Sequence, residues 1–355
     1  MYRGLALGVN EPLVVLWMIV VLVNLLLGAL RVERDFRIVR IGLVILVLSV
    51  ANDNLGSLGL LPWQVRAEPL GIVIFISILG YALALRAFGN ERRLATLDYE
   101  LRTARQIQQS LLPRELPRTL GGTLAIRYIP MAAVGGNLYD CLQVDDRRFG
   151  ILVEDVTGHG IPAAIIASMV KTAAAAQIRV ADKPTEVLSG INQHLCGQVD
   201  GHYVTAVYLY VDLDTGRVLQ ANAGHPPPLL LSRDGLEVDV VGESGLILGF
   251  VPDATYTTTE LPLSPGDRVV LYTDGVVEAS APNGDSFETE RLRDILHRRS
   301  DLTAERWADH LLEQLTQWCG KASLELDDDL TVPILDIPIP GPPRGVDERD
   351  RLSDR

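Results

Sequence analysis

The chain has 355 residues, 48% of them hydrophobic, with 45 acidic residues against 32 basic ones and a formal net charge of −13. That length covers a membrane region plus one or two domains, and the acidic balance excludes the basic surface of a nucleic-acid binder. Cys141, Cys196 and Cys319 are too few and too widely spaced for a disulfide framework, which fits a reducing compartment.

Apolar residues are concentrated in the first 88 positions. Residues 12–30, "PLVVLWMIVVLVNLLLGAL", are apolar apart from Asn24 and reach the roughly 20 residues that cross a bilayer. No small-residue cleavage site follows, so the segment reads as a span and not as a signal peptide. Residues 69–88 form a second clear span. Between them, residues 41–51 are a shorter apolar core that reaches spanning length only by including Asn52, Asp53 and Asn54. The expectation is about three transmembrane helices within residues 1–88, with a re-entrant or interfacial segment as the alternative for the middle one. Asp53 is then either a functional ionisable group at membrane depth or a residue at the headgroup level. "RVERDFRIVR" carries four arginines and Arg86, Arg92 and Arg93 follow the last span, whereas the loop at 52–68 holds only Arg66. This bias places the N-terminus outside and everything after residue 88 in the cytoplasm.

Residues 89–113 read as a linker helix. Leu94, Leu97, Leu101, Ala104 and Leu111, with Gln108 in the remaining seam position, follow the 3-4 alternation of a coiled coil until Pro113 stops it. The seam predicts a parallel homodimer that carries a signal from the membrane; an amphipathic helix packed on the next domain is the alternative.

From about residue 114 to 337 the pattern becomes β-rich. "TLAIRYI", "FGILVEDV", "YVTAVYLYVDL", "RVLQANA", the leucine run after Pro228, "DRVVLYT" and "LTVPILDI" read as strands, with "DLDTGR" as a hairpin turn. Helices are expected at 162–178, 184–196, 287–298 and 304–318. Strands mostly follow strands and helices come in pairs, which predicts an α+β domain of antiparallel sheets with helices outside. The tail at 338–355 is rich in proline, glycine and charge and is expected to be disordered.

Acids recur at strand ends. Asp155 closes an apolar strand in "LVEDVTGHG", Asp274 does the same in "VVLYTDGVVEA", and "LELDDDLTVPIL" sets three aspartates ahead of another. One strand-end Asp-Gly is usually a turn; three in one domain point to a cation site, because Mg²⁺ and Mn²⁺ prefer carboxylate oxygens. Two such ions about 4 Å apart clamp a phosphoryl group for in-line attack by an activated water. No protein nucleophile is then required. Cys141 and Arg147 have the C-x5-R spacing of cysteine phosphatases, but the intervening "LQVDD" would repel a phosphate.

"IQQSLLP", "YIPMAAVGGNLYD", "EDVTGHGIPAA", "YVTAVY", "ANAGHPPPLLL", "LPLSPGDRVVLYTDGVVEA" and "DDDLT" occur in this order. Together they resemble the SpoIIE/RsbU-type branch of the PPM metal-dependent Ser/Thr protein phosphatases, over residues 104–337. The resemblance implies a four-layer α/β/β/α sandwich of two antiparallel sheets, with two Mn²⁺ or Mg²⁺ ions between the sheets at one edge. It implies that Asp155 bridges both ions, that the Val156 carbonyl is a backbone ligand, and that Asp274 and Asp328 are further ligands. Asp328 is chosen because the acid opens the D-D-x-T motif. His159 matches a histidine that assists the leaving group or else caps its turn, and His225 is read as structural. The implied substrate is phosphoserine or phosphothreonine on an anti-sigma-factor antagonist (STAS) protein, and the implied location a bacterial inner membrane, crossed several times, in contact with lipid.

Two residues depart from that pattern. Asn137 stands where the family usually has Asp, and Glu154 where it has a small residue. An amide oxygen still ligates a hard cation, but without charge. The sequence therefore leaves two readings: an active phosphatase with a weakened second ion site, or a catalytically weak or inactive relative that binds phosphoproteins.

Overall fold

The computed structural model describes residues 34–57, 59–62, 65–113, 116, 124–131, 134–199, 201–234, 238–240, 242, 244–320 and 328–339. The chain forms two compact units, Met1–Tyr99 and Glu100–Arg355. The expected span at 12–30 lies outside the described residues, as does nearly all of the expected disordered tail.

α1 is Arg34–Ser57, in the first unit, and α2 is Glu68–Leu111, which begins in the first unit and ends in the second. Both are long and apolar enough, over Ile38–Ser57 and within Glu68–Leu111, to cross a membrane. The middle apolar segment is a regular helix that includes Asn52, Asp53 and Asn54. Asp53 has a local structural task. Its carboxylate accepts the backbone N–H groups of Ala67 at 2.7 Å and Glu68 at 2.9 Å, capping the start of α2. Asn52 Nδ2 donates to the Val65 carbonyl at 2.9 Å and closes the same loop.

The expected linker helix is the last part of α2, a single 44-residue helix. Its proposed seam divides in two. Leu94 and Leu97 are 66% and 47% exposed. Gln108 is not a seam residue: it is 6% exposed, its Nε2 donates to the Gly135 carbonyl at 2.7 Å, and its Oε1 accepts the Gly135 N–H at 3.1 Å. An amide side chain is one of the few that matches both groups of one peptide backbone residue. Leu111 and Leu112 pack onto the core beside it.

The second unit is a four-layer sandwich. One sheet has the order β1-β10-β9-β6-β7, with β1 Leu124–Ile129, β6 Leu229–Leu231, β7 Val238–Val240, β9 Arg268–Val270 and β10 Leu330–Asp336. The other has the order β2-β3-β4-β5-β8, with β2 Leu138–Gln143, β3 Arg148–Val156, β4 Val204–Asp212, β5 Arg217–Ala223 and β8 Thr259–Leu261. The strand pairs among the described residues are all antiparallel. Period-2 alternation sorts the side chains. Phe149, Ile151 and Val153 of β3 meet Leu230, Val269 and Leu335 of the facing sheet between the layers. Leu152 and Val156, of opposite parity, pack under α3 (Ile161–Ala176) and α4 (Pro184–Leu195). The other sheet is covered by α6 (Glu288–Arg298) and α7 (Ala304–Cys319), with Trp307 fully buried. Between β9 and α6 lies the one-turn helix α5, Asp274–Val277.

The expected strands and helices are all present, with ends shifted by a few residues. β2, β7, β8 and α5 carry no sequence signal of their own. β7 and β8 are three-residue edge strands and α5 is four residues long, too short for a period to register.

Gln108→Ala would leave the buried N–H and C=O of Gly135 without partners. It is expected to destabilise the domain by about 1–3 kcal/mol, measured by chemical denaturation, whereas Ile107→Ala on the exposed side is expected to be neutral. Equal midpoints for the two variants would show that the Gln108 bonds contribute nothing.

Candidate functional site

The fold brings three strand-end carboxylates to one edge of the inter-sheet layer. Asp155 shares the parity of Ile151 and Val153, so it lies at the open end of the layer between the sheets. Asp274 is the first residue of α5, just after β9, and Asp328 lies just before β10. Asp155 and Asp274 lie close enough for each carboxyl to act on the other. Burial drives the Asp155 carboxyl well above the ordinary carboxylate range; the nearby Asp274 carboxyl and the charges of Asp328 and Asp329 add to it. Asp328 is raised too, first by burial and then by the charge of Asp274, against the lowering effect of the Asp329 N–H.

Asp329, next to Asp328, does something different. Its carboxylate accepts the backbone N–H of Met131 at 2.7 Å, Gly136 at 2.5 Å and Asn137 at 3.2 Å. Its carbonyl accepts Asn137 Nδ2 at 3.0 Å and Thr273 Oγ1 at 3.2 Å. One residue thereby ties the turn before β2 to the start of β10. Sequence reading identified the D-D-x-T motif but not this clamp, because its partners are nearly 200 positions away. The glycines are required sterically. A Cβ on Gly135 would lie 2.7 Å from the Asp329 carboxyl carbon, and one on Gly136 would lie 2.5 Å from the Val156 carbonyl oxygen. Gly136 therefore keeps a space open beside the oxygens of Val156 and Gly158.

Neighbouring acids face elsewhere. Glu154 is fully buried on the opposite face of β3, with Leu138 and Ala206 as its register partners. Burial, then the charges of Asp140 and Asp155, push its carboxyl far up and disfavour the ionised form, and its place on the opposite face keeps it from substituting for the missing charge at Asn137. Asp140 pairs with Lys171 at 2.7 Å. The Cys141 thiol is pushed up to about 12, first by burial and then by the charge of Asp140, and Arg147 pairs with Asp214; no activated thiolate exists at this position.

His159 is exposed in the turn between β3 and α3, where Gly158 and Gly160 have φ of 91° and 81°, the left-handed region that favours glycine. Unforeseen from sequence, His202 lies beside it: its Nδ1 is 2.8 Å from the Thr157 carbonyl, and the Tyr203 N–H donates to Thr157 Oγ1 at 2.8 Å. His225 is buried, with Nδ1 2.9 Å from Thr205 Oγ1 and its N–H donating to Asn222 Oδ1 at 2.8 Å, which fits its structural reading.

The donor set suits a hard divalent cation. The carboxylates repel one another, and buried Asn137 Oδ1 and Asp274 Oδ1 have no hydrogen-bond partner. Among the described residues no three acidic, histidine or cysteine side chains stand close enough to enclose an ion by themselves. A cation here would complete its shell with backbone and water oxygens, as Mg²⁺ ordinarily does.

Burial lowers the His225 pKa from 6.5 to about 4. The folded state thus holds this ring neutral where the unfolded chain protonates it, so stability falls as the pH drops from 6.5 toward 4, by about 3 kcal/mol for this residue. His225→Gln is expected to flatten the stability curve in that window, measured by denaturation midpoints in chelator at pH 7 and pH 4.5. Parallel curves for the two proteins would show that His225 does not titrate as described.

Comparison with known proteins gives a consistent picture. The profile of the family Stage II sporulation protein E (SpoIIE) matches residues 145–338. Phosphoserine phosphatase RsbU of Bacillus subtilis is 26% identical over 260 residues, covering 73% of this chain and 76% of RsbU. Phosphoserine phosphatase RsbP of the same organism is 30% identical over 187 residues, covering 51% of this chain and 46% of RsbP. Among solved structures, the SiaA-PP2C domain of Pseudomonas aeruginosa superposes with a TM-score of 0.61 at 25% identity, over 69% of this chain and 97% of that domain. The PP2C domain of SpoIIE from Bacillus subtilis, at 15% identity and a TM-score of 0.51, shares the fold over 62% of this chain and 64% of that one. With its two helix-flanked antiparallel sheets and residues 145–338 within the profile, the chain belongs to the SpoIIE family and carries a phosphatase domain of the PP2C fold.

Proposed function

We propose that this domain is a metal-dependent phosphatase acting on phosphoserine or phosphothreonine in a protein, with two Mn²⁺ or Mg²⁺ ions held by Asp155, Asp274, Asp328, the Val156 carbonyl and Asn137. The observation that carries this reading is the convergence of carboxylates from three separate strand ends on one edge of the sandwich, near enough that Asp274 and Asp328 act on the Asp155 carboxyl. The relatives named phosphoserine phosphatases support the substrate class. When bound, the cations supply Lewis acidity and an activated water for in-line attack on phosphorus. The chain's own residues do the rest. Asp155, at the end of β3, would hold the ions between the sheets. Asp329 holds the turn that carries Asn137 at a constant distance from Asp328. In hydrolysis the water oxygen bonds to phosphorus, the bond from phosphorus to the serine oxygen breaks, and that oxygen takes a proton. His159, exposed in the turn after Val156, is the group proposed to supply it.

We further infer a phosphorylated STAS-type protein as substrate, attachment to a lipid bilayer through the apolar helices of residues 1–88, a cytoplasmic phosphatase domain over 114–337, and a homodimer formed along residues 94–104. The exposure of Leu94 and Leu97 on a helix of mixed polarity supports the last point.

Asp155→Asn, Asp274→Asn and Asp328→Asn are each expected to abolish Mn²⁺-dependent hydrolysis of a phosphorylated STAS protein while leaving the circular dichroism spectrum unchanged. Near-normal turnover of Asp274→Asn at saturating Mn²⁺ would remove Asp274 from the site. A wild type that turns over no phosphoprotein under any metal condition would favour the second reading, a phosphoprotein-binding regulator, which the amide at Asn137 motivates.

Charged substitutions at Leu97 and Leu101 are expected to convert the dimer to a monomer in sedimentation at several concentrations. A wild type that sediments as a monomer throughout would leave the helix only its packing role around Gln108.

A further inference from the structure

Asn137 is 1% exposed and held at two points on one residue. Its backbone N–H donates to Asp329 Oδ2 at 3.2 Å and its Nδ2 donates to the Asp329 carbonyl at 3.0 Å. The second contact fixes the amide's orientation, because a carbonyl oxygen only accepts and the nitrogen must face it. Oδ1 is turned the other way, buried and without a hydrogen-bond partner. Leu138 packs under α3 and α4, so Asn137, its neighbour on the extended chain, takes the opposite face, the one from which Asp155 projects on β3. An orphaned, immobilised oxygen facing a carboxylate cluster is a donor presented to a cation.

We propose that Asn137 is a neutral oxygen ligand locked in place for the second divalent ion, and that its amide makes occupancy of that ion depend on the surrounding divalent concentration. The proposal rests on the two-ion reading above. Aspartate at this position would change two things. It would add a fifth carboxylate beside those of Asp155, Asp274, Asp328 and Asp329, and it would set an oxygen against the Asp329 carbonyl where Nδ2 now donates. Both penalise the metal-free state, and the added charge strengthens the loaded one. The amide removes both effects. The cleft stays folded whether or not the second ion is bound, and the ion is held by fewer charges. Glu154 does not restore the charge, since it is buried on the other face of β3.

The test is calorimetric titration of the full-length protein in detergent with Mn²⁺ alone, together with thermal melts in chelator and in Mn²⁺. Wild type is expected to bind one ion tightly and a second more weakly. In Asn137→Asp the weaker ion should tighten by about 10- to 100-fold, the melting temperature in chelator should fall, and the gap between chelated and loaded melts should widen. Asn137→Ala should lose the weaker ion and keep the tighter one. Should Asn137→Asp fail to fold in chelator, Asn137→Ala and Asn137→Ser still report on the weaker ion. Weaker-ion isotherms that superimpose for wild type and all folded variants would overturn the proposal and leave Asn137 as a turn residue. Asp155→Asn separates the two levels. Wild-type Mn²⁺ binding by that variant would overturn the metal reading itself; loss of binding there with no effect at Asn137 would overturn only this inference.

Discussion

Like charges crowded into a half-buried cleft repel one another, and the catalytic half of this protein is built to hold such a cluster in place. Asp155, Asp274 and Asp328 come from three different strand ends, and their mutual repulsion and burial raise the Asp155 and Asp328 carboxyls together. A loose scaffold would relieve the strain by letting the chains separate. Here each chain is fixed by something else: β3 by pairing with β2 and β4, β10 by pairing with β1 and β9, and the space between the sheets by a dry layer of Ile151, Val153, Val269 and Leu335. The apolar layer supplies the stability that the polar edge consumes.

Adjacent acids in this chain have opposite fates, and strand geometry decides which. Asp155 opens into the cleft while Glu154, one residue earlier, is sealed on the opposite face, where burial disfavours its ionised form. Asp328 faces Asp274 while Asp329 turns its carboxylate onto three backbone N–H groups of the turn before β2. The second pair is the more consequential. By holding the backbone N–H groups of Met131, Gly136 and Asn137, Asp329 couples the two sheets at the edge where the chemistry is proposed; its carboxylate leaves no room for a Cβ on Gly135, and the Val156 carbonyl leaves none on Gly136.

The linker joins the same system. Gln108 grips both backbone groups of Gly135, one residue from the clamp formed by Asp329. The end of α2 is therefore packed on the phosphatase domain, while Leu94 and Leu97 in its earlier turns are exposed.

Much of this was legible in the sequence. Long apolar runs announced helices of spanning length, alternation announced the sheets, and acids at strand ends announced the cleft, because each is a local pattern set by a period or a turn. The seven ordered motifs identified the family. The partners of Asp329, the burial of Gln108, the placement of His202 beside the turn of His159 and the direction in which the Asn137 amide points were not legible. Each depends on segments far apart in the chain meeting at one edge, and no local period encodes such a meeting. Sequence determined which groups this protein possesses and which strands carry them; the packing of one sheet on the other decided which of those groups meet, because a side chain's partner across a sandwich is set by layer geometry and not by its neighbours along the chain.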